Sequence, residues 1–237
     1  MADYGDLVQF LGPIEMDTAI NLPDDSWENR FATHNLLTVP VVDGERPLIS
    51  FNLATQEGGG LHLTEASEAH MVEVDFTGNV ALGEASGAAY CGTSTTIKSF
   101  GCSFVDNSAP NGHGGAVAAL SETVVEILHS TALQNTAKFS GGFGSFEGSA
   151  TVKISNTTME SNGLLGGTIG GGALRLYGVR DATITKSGFF NNSVGGLGGD
   201  GGAVMAIESK VNFEGVQFSH NVAAEGDGNI FFYISYP

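Results

Sequence analysis

The chain has 237 residues, 35 of them glycine, and 41% hydrophobic content supplies enough apolar side chain for a substantial core. Its formal net charge is −17, with only 9 Lys plus Arg, which disfavours nucleic acid, anionic lipid and polyanionic sugars and points to neutral, cationic or protein partners. No apolar run reaches the roughly 18 residues of a membrane-spanning helix, and two cysteines make no disulfide framework.

In chain order, the opening Met1-Ala2-Asp3-Tyr4-Gly5-Asp6 lacks the basic and long apolar regions of a secretory signal. The stretch Asn21-Leu22-Pro23-Asp24-Asp25-Ser26-Trp27-Glu28-Asn29-Arg30 is polar and turn-rich. Nothing in residues 1–46 follows the period that starts next.

From residue 47 one asparagine recurs, as Asn52, Asn79, Asn107, Asn135, Asn162, Asn192 and Asn221, at intervals of 27 to 30 residues. Three residues before each stands an apolar side chain: Ile49, Phe76, Phe104, Ala132, Met159, Phe189, Phe218. After most of them a glycine pair leads into a strand-like run, as in Gly114-Gly115-Ala116-Val117 and Gly201-Gly202-Ala203-Val204. Upstream, Ile97-Lys98-Ser99, Val125-Glu126-Ile127 and Val152-Lys153-Ile154 alternate with period two, the pattern of a strand with one buried face.

Each repeat therefore predicts three short strands separated by turns. The expected fold is all-β, a right-handed parallel β-helix of about seven coils with a period of 27–30 residues. Helical repeats are excluded, because glycine at this density costs a helix about 1 kcal/mol per residue. The recurring asparagine suits a turn, where it tolerates left-handed backbone and its amide reaches a neighbouring coil. Residues 1–46 read as an N-terminal cap over the β-helix of 47–237. The C-terminal run Ile230-Phe231-Phe232-Tyr233-Ile234-Ser235-Tyr236-Pro237 reads as an uncovered last strand. Phe231, Phe232, Tyr233 and Tyr236 are the candidate contact with another protein or with residues of a longer native chain, since an open solenoid end exposes core and strand edge; the alternative is that Tyr233 and Tyr236 fold back and close the tube.

Phe104-Val105-Asp106-Asn107 with Gly114-Gly115-Ala116-Val117, and Phe189-Phe190-Asn191-Asn192 with Gly201-Gly202-Ala203-Val204, resemble the repeats of chlamydial polymorphic outer-membrane proteins. Similar repeats occur in β-helix proteins of the pectin-lyase-like superfamily. The resemblance covers roughly residues 48–235. It implies a β-helix scaffold, and an extracellular or cell-surface adhesin-like role.

Alternation after each glycine pair gives an outward column His62, Tyr90, Ala118, Ser145, Arg175, Met205, with Phe232 possible in the last coil. His62, Tyr90, Arg175 and Met205 are the candidate binding strip, with a neutral glycan as one possible ligand. The column supplies no carboxylate pair of the kind a glycosidase uses. No catalytic residue, metal or cofactor is assigned, and the reading is a non-catalytic binding or structural module: an adhesin-like surface domain or an accessory subunit of a larger assembly. The alternative is a carbohydrate-active enzyme working through loop residues such as His113 or Asp200. Asn111-Gly112-His113-Gly114-Gly115 reads as a polar turn, and Gly195-Gly196-Leu197-Gly198-Gly199-Asp200 as a loop. Cys91 and Cys102 fall in different columns and read as buried free thiols.

Overall fold

The computed structural model describes residues 7–9, 20–21, 36–39, 46–64, 66–166, 169–196 and 199–233. Among them every element is a strand, and every pairing between strands is parallel. The chain is a β-solenoid of about six turns, close to the seven coils expected.

Four sheets run along it. The long sheet has eight strands: Leu7–Gln9, Leu36–Val39, then the five-residue strands Glu68–Val72, Thr96–Phe100, Val124–Leu128, Thr151–Ser155 and Asp181–Thr185, ending at Val211–Glu214. The phenylalanine sheet has seven, from Leu48–Ser50 to Gln217–Ser219. The glycine sheet, whose strands mostly follow the glycine pairs, has eight, from Ile20–Asn21 through Leu61–Leu63 to Ile230–Tyr233. These are the three strands expected per coil. A fourth column of two-residue strands, Leu53–Ala54 to Val222–Ala223, follows the asparagines. Within the segment expected as a cap, Leu7–Gln9 and Leu36–Val39 continue the long sheet and Ile20–Asn21 continues the glycine sheet. Residues 22–30, the turn-rich stretch, lie outside the described residues.

Period-two alternation sends one face of each strand inward, and exact coil register stacks like upon like. Ile49, Phe76, Phe104, Ala132, Met159, Phe189 and Phe218 form one column through the phenylalanine sheet. All are fully buried except Phe218, which is partly covered. Phe76 lies flat on Phe104 with ring centres 5.2 Å apart, and Phe189 on Phe218 at 4.9 Å. Each buried phenylalanine contributes on the order of 1.5–3 kcal/mol.

The asparagines form a second, polar column. Each Nδ2 donates to the Oδ1 of the next coil's asparagine at 2.9–3.0 Å, from Asn52 to Asn221. Each backbone N–H from Asn52 to Asn192 donates to the same oxygen. From Asn79 onward the second Nδ2 proton goes to the carbonyl three residues before the preceding asparagine, as in Asn107 to Phe76 at 3.0 Å. Asn229 closes the ladder by accepting from Asn221 at 3.2 Å.

The asparagines themselves are not the left-handed residues. That conformation falls one place earlier, on Phe51, Gly78, Asp106, Gln134, Ser161, Asn191 and His220, with φ between 55° and 64°. The left-handed residue turns the chain, so that the next side chain enters the interior and joins the ladder. Where the chain folds back against the asparagine turn, the second glycine of each pair is set by crowding. A Cβ on Gly115 would stand 2.1 Å from the carbonyl oxygen of Gly142, a backbone atom that has nowhere to go.

Candidate functional site

The glycine sheet carries the outward column in the expected register: His62, Tyr90, Ala118, Ser145, Arg175, Met205. Its continuation is Phe231, which pairs with Met205, and not Phe232. Asn229 takes the place of the alanine in Gly-Gly-Ala-Val, so Ile230 aligns with Val204 and Phe231 turns outward. Phe232 aligns with Ala206 in an inward column.

The strip is a trough rather than an open face. Ala118, Ser145, Arg175 and Met205 are buried although they point away from the core. Over the middle coils it forms a cleft of about 290 Å³. Tyr90, Ala118 and Ser145 line its floor, with Glu57, Glu84, Ala85 and His113 from the corner loops on one side and Leu120 and Glu147 on the other. His62 meets the edge of Tyr90 at 4.9 Å. Arg175 forms an ion pair with Glu147, and its guanidinium lies over the Tyr177 ring at 4.9 Å. His113 Nδ1 is 2.6 Å from Ser140 Oγ.

Burial, with the Arg175 charge added, pushes the His113 imidazole below its ordinary range and favours the neutral ring. Burial lowers His62 in the same sense, opposed by Glu57. Burial and the Glu57 carboxylate raise the Tyr90 phenol. Among the described residues two buried polar atoms on the outward column have no hydrogen-bond partner: Ser145 Oγ and Arg175 Nε.

The three glutamates were not among the residues singled out from the sequence. Glu147 shares the outward parity of Ser145 in the strand Gly144–Glu147, so alternation carried out one step further finds it. Glu57 and Glu84 each stand five residues after a ladder asparagine, Asn52 and Asn79, a spacing that was legible. Of the two loop candidates, His113 lines the cleft. Asp200 lies in the same corner column as His113, through Ser140 and Gly170, but further along the tube and away from the cleft.

Cys91 and Cys102 are free and buried, as expected. Burial pushes the Cys91 thiol up to about 12 and that of Cys102 to about 11, so neither is a nucleophile near neutral pH. Among the described residues no group of His, Cys, Asp and Glu is arranged to hold a metal ion. No described helix is long and apolar enough to cross a membrane.

The second site is the C-terminal end of the tube. Ala182, Ile184, Phe189 and Val204 are fully buried, yet their partners in the last coil, Val211, Phe213, Phe218 and Ile230, are only partly covered. Phe232 is 51% exposed and Tyr233 52%. Phe232 stands at the edge of the open core, its ring 6.4 Å from that of Phe213. Tyr236 lies outside the described residues.

No family model, curated protein or solved structure matches this chain.

Proposed function

We propose that the chain is a non-catalytic binding or structural module that acts by docking another protein on its C-terminal end, as an adhesin-like surface domain or as an accessory subunit of a larger assembly. The observation that carries this reading is the loss of cover over the last coil, where columns that are sealed one turn earlier become half open. Unpaired strand edges are a template for pairing with another chain, and solenoids cover such an end with a cap or a partner. The likeness of the repeats to those of chlamydial polymorphic outer-membrane proteins, within the pectin-lyase-like superfamily, supports the adhesin-like form and a right-handed coil.

The test is a Phe232→Ser/Tyr233→Ser variant. It is expected to keep its β-sheet spectrum and melting temperature while losing self-association and the binding of an apolar dye. A wild-type chain that stays monomeric at high concentration and binds no dye, with a variant that unfolds, would show that the end seals itself.

A carbohydrate-active enzyme is the second reading, favoured by the placement of Glu84, Glu147 and His113 around one cleft. Cleavage of a neutral or acidic polysaccharide, lost in His113→Ala, would support it over the first.

A further inference from the structure

The cleft carries a chemistry that the end face does not use. Three carboxylates, those of Glu57, Glu84 and Glu147, line it, and one guanidinium, that of Arg175, is paired to Glu147 beside it. Three negative charges less one positive leave an excess of two. Among the described residues Glu57 and Glu84 form no ion pair. The neighbouring His113 contributes no opposing charge while its imidazole stays neutral. At the floor, Ser145 is 2% exposed, faces outward into the cleft, and its hydroxyl has no partner among the described residues. A buried hydroxyl left unpaired is costly, and a ligand that engages it removes the cost.

These features select a ligand by charge and by hydrogen-bond sense. An anion meets the carboxylates. A neutral polyol leaves the excess charge uncompensated. A metal ion finds no suitable cluster among the described residues. A group that is positive and presents only N–H donors meets acceptors at Glu57, Glu84 and Ser145 Oγ, and a π-face at Tyr90. The volume, about 290 Å³, is at the small end of ligand sites and suits a single side chain or short amine. The chain's formal charge of −17 steers cations toward it.

The geometry points to this cleft as a binding site for one organic cation, an alkylammonium or guanidinium group, with Glu57 and Glu84 as counter-charges and Ser145 Oγ as the acceptor at the floor. The cation comes either from a Lys or Arg side chain of a protein or from a free polyamine.

Titration of the full chain by calorimetry and by NMR separates these cases. The probes are N-acetyl-lysine amide, N-acetyl-arginine amide, spermidine and, as the uncharged control, N-acetyl-norleucine amide. At least one cationic probe is expected to bind saturably, more weakly as salt rises, and the norleucine control is expected not to bind. Glu84→Gln and Glu57→Gln should each weaken binding at least about tenfold, as loss of a charge-assisted hydrogen bond implies. Glu122→Gln, on the exposed turn across the sheet, should leave it unchanged. Ser145→Ala should weaken it less than either glutamate variant. Preference for the amino-acid amides assigns a protein side chain, and preference for spermidine a polyamine. The inference is overturned if no cationic probe binds saturably, if the control binds equally, or if Glu84→Gln and Glu57→Gln bind as the parent does. None of these outcomes bears on association through Phe232 and Tyr233, so the two readings fail separately.

Discussion

Asn107→Ala removes a single side chain from the centre of the polar ladder. Asn107 Oδ1 accepts from the backbone N–H and the Nδ2 of Asn79, both at 3.0 Å, and its Nδ2 donates to Phe76 O and Asn135 Oδ1, also at 3.0 Å. Truncation orphans the Asn79 N–H completely, at a cost of about 1–3 kcal/mol. The other three partners each keep some bonding, and together with the cavity bring the expected loss to about 3–5 kcal/mol. At roughly 2–4 °C per kcal/mol for a chain of this size, the melting temperature should fall by about 6–20 °C. Thermal and urea unfolding followed by far-UV circular dichroism reads this directly. Asn221→Ala is the internal comparison. Asn221 sits in the uncovered last coil, where freed groups are re-solvated, so its loss should be less than half as large. Equal effects at the two positions, or a loss below about 1 kcal/mol at Asn107, would show that the ladder is not a principal source of stability.

Phe104→Ala should cost about 3–5 kcal/mol by the same assay, since Phe104 is fully buried between Phe76 and Phe143. Gly115→Ala should abolish the cooperative transition or lower its midpoint steeply, because the new methyl collides with the backbone of the next coil. Cys91 should resist a thiol-specific disulfide reagent at pH 8 until the chain is unfolded. The Cys91 thiol, held near 12 when folded and near 9 when free, keeps its proton longer in the native state, so stability should decline as pH rises from about 9 toward 12. Cys91→Ala should flatten that decline in a pH series of urea midpoints. His113 titrates in the opposite sense: the unfolded chain takes up its proton first as pH falls below 6.5, so stability drops there, and His113→Gln should reduce the drop.

The parallel scaffold was legible because its main determinants repeat. The Phe-x-x-Asn spacing fixed the coil length, and alternation fixed which side chains of the long and glycine sheets face inward. The two thiols were legible for the same reason: Cys91 falls on an inward column of the glycine sheet between Leu63 and Ala119, and Cys102 on the position that other coils fill with Val74 and Ser130. What repeats in conformation but not in identity was hidden. The left-handed position before each asparagine is filled by Phe51, Gln134 and His220 as readily as by Gly78, so no residue type marks it. The fourth strand column is two residues long, too short to show a period. The last coil keeps its register but carries Asn229 where earlier coils carry alanine, so the landmark was lost and Phe232, expected outward, stands on the inward side. The cleft escaped because Glu57 and Glu84 come from corner loops, where their spacing from the asparagine recurs only once, and Glu147 stands one alternation step beyond the outward column.

Hydrogen–deuterium exchange resolved along the chain tests the open C-terminal end most directly. The amides of Val211–Glu214, Gln217–Ser219 and Ile230–Tyr233 are expected to exchange much faster in the monomer than those of Val124–Leu128 and Thr151–Ser155, and to become protected on association. Equal, strong protection across all five strands in a chain shown to be monomeric would contradict the account.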